Sequence, residues 1–176
     1  MGSEDFGSIM ASIDAPMIVV TAAMDDERAG CLVGFHSQSS IEPERIAVWM
    51  SKANHTYRVM LRSEHFGVHY LTADDDDLAE LFGTLTGDEV DKLARTESHA
   101  DPHGVPVLER CQNRLVVRRT ALLDEGGDHV CIAAEPIEVT AAGKFEPLRL
   151  AQVAHLTPGH EVGERHDPPT ERAADA

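Results

Sequence analysis

The chain has 176 residues, enough for one domain with a sizeable core, and carries 31 acidic against 15 basic residues, a formal net charge of −16. A surface this acidic repels nucleic acid and anionic membrane, and its ordinary role is solubility. No apolar run approaches the roughly 18 residues of a membrane-spanning helix, and the acidic start MGSEDFGSIM lacks the basic region of a secretory signal.

Residues 17–23 form a short apolar run suited to a buried strand. Residues 30–41, rich in small side chains, predict a second strand with an irregular end. Pro43 is barred from a central ladder position and marks a turn before a third buried strand, IAVWM. Residues 51–64 read as a loop entering a short helix, with Asn54 or Thr56 as cap and Tyr57, Met60 and Leu61 at helical spacing. HFGVHYL reads as a strand. The four aspartates 74–77 open a helix carrying Leu78, Leu81 and Phe82, since acids at a helix start suit its dipole. Residues 86–97 predict another short helix. Pro102, Gly104 and Pro106 break the next stretch into loop. Residues 114–124 and 129–141 flank a Gly-Gly turn and predict an antiparallel strand pair. The expected domain is 1–158, and the polar segment 159–176 is expected to be a disordered tail. The pattern predicts a mainly β chain of five or six strands and two or three short helices. Turns too short for crossover helices imply antiparallel pairing, and closure into a small barrel would remove exposed edges.

Two segments offer chemistry. In the first, Gly34 permits close backbone approach to a flat ligand, while Ser37, Gln38, Ser39 and Ser40 supply donors without bulk. In the second, Ser51, Lys52, Asn54, His55 and Thr56 combine hydroxyls, an amide, a cation and a helix start. Those are the parts of a phosphate site, although Ser-rich turns are also common without ligands. His65 and His69, four apart on a strand, are separated by about 13 Å and cannot share a metal. His99 and His103 flank Asp101 in a loop, where a turn is a simpler reading than a ligand pair. Cys31, Cys111 and Cys131 are odd in number and lack C-x-x-C spacing. They read as reduced thiols at least partly buried in strands, which suits a cytoplasmic protein.

The order of these motifs resembles the flavin-reductase-like family of FMN-binding split barrels. An apolar strand, Gly30 to Pro43, a second apolar strand and the 51–56 segment resemble the family's FMN region. The string Ser37-Gln38-Ser39-Ser40 is most similar to the flavin-reductase module of flavodiiron proteins. Phe66 to Leu71 resembles its F-x-V-N-x-L strand, with His69 at the Asn position. Gly104 to Leu108 resembles its G-x-P-x-L turn, and Gly127-Asp128-His129 its G-D-H turn. The family's second proline is Glu44 here, and its closing C-terminal segment is poorly matched by residues 148–153. The resemblance spans residues 10–150.

That resemblance implies an antiparallel, Greek-key-like split barrel and a homodimer. It implies that Leu32, Val33, Gly34 and Phe35 line a flavin ring, and that Ser37 and Gln38 bond its polar edge or ribityl chain. Ser51, Lys52, Asn54, His55 and Thr56 would hold the phosphate of FMN (or FAD), and His129 would sit near the nicotinamide of NAD(P)H. The implied activity is NAD(P)H-dependent flavin reduction, with a partner oxygenase as consumer. Alternatives within the fold are an FMN-binding electron carrier without reductase activity, or a flavin- or deazaflavin-dependent oxidoreductase.

Overall fold

The computed structural model describes residues 3–159. Its elements, in chain order, are α1 (Ser3–Ile13), β1 (Ile18–Met24), β2 (Glu27–Val33), β3 (His36–Ser40), β4 (Arg45–Ser51), α2 (His55–Arg62), β5 (His65–Tyr70), α3 (Asp76–Thr84), β6 (Ser98–Ala100), β7 (Pro106–Leu108), β8 (Arg114–Leu123), β9 (His129–Thr140) and α4 (Leu150–Val153), with a 3-10 turn at Lys92–Arg95.

Seven strands form one antiparallel sheet in the order β2-β1-β5-β8-β9-β4-β3. β2 and β3 are consecutive in the chain yet occupy opposite edges. Only Gly34 and Phe35 separate them, so the sheet must curl until its two edges approach. The Phe35 carbonyl there accepts a hydrogen bond from the Trp49 amide at 2.8 Å. This is the expected mainly β split barrel.

β1 explains its own apolar run. Ile18 and Val20 point into one buried cluster with Val48, Phe66, Val68 and Ile132, and Val19 points into a second with Leu78, Phe82 and Leu148. Successive strand residues face opposite ways, and here both faces are covered. The second cluster is closed by α3, which covers that side of the curl.

His69 ties three strands together inside this core. It is 1% exposed; its Nδ1 donates to the Val19 carbonyl at 3.2 Å, and its Nε2 accepts from the Leu108 amide at 3.1 Å. Only neutral imidazole satisfies both bonds. Burial, opposed in part by the Val19 hydrogen bond, lowers its pKa to about 4.

The structure corrects several expectations. Residues 30–41 hold two strands, β2 and β3, since the bend at Gly34 and Phe35 moves the chain to the other edge of the sheet. The expected loop around Pro102, Gly104 and Pro106 contains a hairpin, β6 with β7, whose turn Gly104 enables with φ of 79°. Asp101 organises this turn by accepting from the amides of His103 and Val105. The second short helix expected at 86–97 contracts to the 3-10 turn. Among the described residues nine strands therefore replace five or six, and, besides the short α4, α1 is an addition to the expected helices. Its signal is present, because Phe6, Ile9, Met10 and Ile13 recur at helical spacing. Cys31 and Cys131 lie in strands as expected, but buried Cys111 lies beyond β7. Of the expected tail, Gly159 packs against Thr84; residues 160–176 lie outside the described residues. No described helix is long and apolar enough to cross a membrane.

Candidate functional site

A cleft of about 330 Å³ opens where the sheet edges meet. One wall is the end of β2 and the bend after it: Leu32, Val33, Gly34 and Phe35. β4 contributes Trp49, Met50 and Ser51, and beside them lie Asp128, at the end of the β8–β9 turn, and His129, the first residue of β9. Sequence-distant segments meet here because register demands it. Ser51 pairs directly with His129 across β4 and β9, and the Lys52 amide donates to the Asp128 carbonyl at 2.9 Å.

The opposite wall has no counterpart among the residues expected from sequence. The end of α3 and the following turn supply Phe82, Gly83, Leu85, Thr86 and Gly87, while the C-terminal segment supplies Leu150, Val153, Leu156 and Pro158. The poorly matched segment at 148–153 thus still closes the cleft, using apolar residues at three-residue intervals. That spacing is the available signal. Buried Lys92 braces this wall, donating to the carbonyls of Phe82 and Leu85 at 3.3 and 3.0 Å, where the end of α3 leaves acceptors unpaired by its own turns. Burial lowers its pKa.

The polar end of the cleft is the start of α2. Asn54 is the N-cap: its Oδ1 accepts from the Thr56 amide at 2.9 Å. Its own amide donates to the Ser51 carbonyl at 3.0 Å, which folds the 51–54 loop onto the helix start. His55 lies between Asp88 Oδ1, 2.9 Å from its Nδ1, and Glu27 Oε1, 3.2 Å from its Nε2. A Cβ on Gly87 would meet the His55 ring at 2.7 Å, so this turn can approach α2 only with glycine there.

His129 lies on the rim. Its Nδ1 is 3.0 Å from Asp128 Oδ1, and its ring centroid is 5.1 Å from that of Phe35. The hydrogen bond from His129 keeps the Asp128 carboxyl below the usual range. Phe35 is 58% exposed and Trp49 36%, so the rim presents aromatic surface.

The structure therefore brings together Leu32, Val33, Gly34, Phe35, Ser51, Asn54, His55 and His129. It places four other expected site residues off the cleft lining. Ser37 and Gln38 ride on β3, bonded to the carbonyls of Gln38 and Ser40. Thr56 is buried against Cys31, whose thiol it hydrogen-bonds; burial nonetheless pushes that thiol's pKa up, leaving it a poor nucleophile. Lys52 Nζ is 2.8 Å from Asp124 Oδ1.

The flavin reductase like domain family matches residues 10–154. The chain belongs to this family. An FMN reductase (NADH), SmoA, of Agrobacterium fabrum is 29% identical over 133 residues, covering 76% of this chain and 74% of that protein. The reductase component of a flavin-dependent trigonelline monooxygenase of Acinetobacter baylyi is 27% identical over 160 residues. That match covers 87% of this chain and 47% of that protein, so the chain spans about half its length. Among solved structures, flavin reductase HpaC complexed with NADP+ superimposes with a TM-score of 0.73 at 21% identity, covering 84% of this chain and 92% of that one. At that identity the likeness concerns the fold. The family's flavin nonetheless suits the residues present here. The cleft has apolar walls for a flat ring, a half-buried backbone lining it at Gly34, and an amide-rich helix start at its polar end, and its volume lies in the range of small-molecule sites.

Proposed function

We propose that this flavin-reductase-family protein binds FMN in the cleft and catalyses its reduction by NAD(P)H. The observation that carries the reading is the convergence of the apolar β2 end, the capped start of α2 and His129 on one opening. In this reading Leu32, Val33, Gly34 and Phe35 face the ring. Ser51, Asn54 and His55 form the phosphate end, with Lys52 beside them. Ser37, Gln38 and Thr56 stand outside the assigned set, because their side chains are engaged elsewhere. Bound flavin supplies the hydride acceptor. The protein contributes orientation and a site that excludes water from the stacked rings.

His129 is assigned to the nicotinamide side of the rim, held in position by Asp128 and Phe35. The names of the relatives support NADH as reductant and a monooxygenase as consumer of the reduced flavin. The exposed side chains of Trp49 on β4, Leu122 and Leu123 at the end of β8, and Ile41 after β3 support a homodimer across the β8–β9–β4–β3 part of the sheet. Three free cysteines suit the cytoplasm.

The test is anaerobic. Purified protein with FMN should bleach when NADH is added, and His129→Ala should slow this step while keeping FMN affinity within a few-fold. Flavin binding without bleaching by NADH or NADPH would make the protein an electron carrier of the same fold. A normal rate in the His129→Ala protein would remove His129 from the reaction.

A further inference from the structure

Among the described residues, the cations on and just before α2 already have carboxylate partners. Arg58 is paired with Asp88 and Arg62 with Glu27, while Lys52 is paired with Asp124. The last pair has a distinctive construction. Asp124 follows β8 at the hairpin turn, and its Oδ1 also accepts from the Gly126 amide at 2.8 Å, where Gly126 has φ of 86°. The turn thus fixes this carboxylate independently of Lys52. Lys52, on a flexible stem, is the mobile member. Its backbone lies between two parts of the cleft lining, since Ser51 precedes it and its amide bonds the Asp128 carbonyl.

We infer that Asp124 competes with the flavin phosphate for Lys52, so that the β8–β9 turn acts as a latch that keeps flavin binding weak and exchangeable. The inference rests on the flavin reading of the cleft. The pair is about one-third exposed on the lysine side and 43% exposed on the aspartate side, so it is weak and readily broken. A phosphate carries more charge than a carboxylate and can draw Lys52 away, but the affinity it gains is reduced by the pair it breaks. A protein of net charge −16 adds long-range repulsion of the same sign. Loose retention suits a reductase whose reduced flavin must leave for a second protein.

Asp124→Asn is the informative variant, because asparagine keeps the acceptor for Gly126 and removes only the charge. FMN and riboflavin affinities are measured by fluorescence quenching on the full chain, with thermal melts confirming that each variant folds. Asp124→Asn should tighten FMN by about two- to fivefold and leave riboflavin unchanged, the gain being of the size of an exposed ion pair. Adding Lys52→Gln should erase that gain. Glu125→Gln, an equal charge change next door, should leave the FMN-to-riboflavin ratio unchanged. An unaltered ratio in Asp124→Asn overturns the latch. So does an equal gain from Glu125→Gln, which would assign the effect to net charge. If the wild-type protein binds neither ligand, the flavin reading itself fails, a result distinct from equal binding of both in every variant.

Discussion

The two ends of the cleft are built by different physics. The apolar wall consists of side chains that folding itself locks in place: Met50 and Phe82 are each 1% exposed, and Val33 is 6%. Burying such a side chain contributes about 1.5–3 kcal/mol. The charged end is held by exposed ion pairs, each worth about 0.2–1 kcal/mol. A wall shaped by the core cannot change without cost to the fold, whereas the charged end can exchange partners freely. Recognition of the ring should therefore be rigid and recognition of the phosphate adjustable.

The strongest way to break this comparison is to fill the wall. A Cβ at Gly34 would meet only Met17, at ordinary contact distances of 3.4 and 3.5 Å, so Gly34→Val should leave the fold intact. The added methyls project where the ring is expected. Overpacking typically costs about 1–3 kcal/mol, which corresponds to roughly a five- to 150-fold loss of affinity. FMN and riboflavin should lose equally, as read by quenching titration, with the melting temperature nearly unchanged. Unaltered affinity would place the ring elsewhere.

How much of this can be read from the sequence follows the same division. The strands of the main sheet are legible because β1, β4, β5, β8 and β9 carry continuous or alternating apolar runs between clear turns. The β2 wall and the Asn54 cap are legible because small residues and a capping side chain are local signals. The α3 helix and the spacing of Leu150, Val153 and Leu156 are local signals, but that these elements wall the cleft depends on long-range packing, which local pattern does not encode. Lys52 illustrates the limit most directly. Its type and position suggest a phosphate ligand, but its partner lies at Asp124, 72 residues away. Only the β4–β9 register brings the two together.

Next in size is the stability of the sheet that carries the wall. His69 has a folded pKa of about 4 against an ordinary 6.5, so the folded state favours neutral imidazole. Below 6.5 the unfolded chain binds a proton that the folded chain refuses, and stability falls as pH drops towards 4. Between pH 7 and 5 this amounts to about 2 kcal/mol, since one proton bound across a full pH unit is worth about 1.4 kcal/mol. His36, whose pKa burial also lowers, acts in the same direction. Urea unfolding at the two pH values should show this loss, and His69→Asn should show a smaller one. An equal pH dependence in the variant would remove His69 as its source.

The smallest effect should come from the charged end. Arg62 pairs with Glu27, both side chains are nearly half exposed, and Arg62 Nε also lies 3.5 Å from the Arg58 carbonyl. Removing Arg62 does not strand Glu27, because His55 Nε2 is 3.2 Å from its other carboxylate oxygen. Arg62→Ala should therefore cost less than about 1 kcal/mol in urea unfolding at low salt. At about 1 M salt, where the screening length falls to about 3 Å, the difference should nearly vanish. Cost and salt dependence together separate a surface pair from a structural one. A loss above about 2 kcal/mol that persisted in salt would mean that Arg62 acts through buried packing of its stem. The charged end would then be as rigid as the wall, and an adjustable phosphate site would have no physical basis.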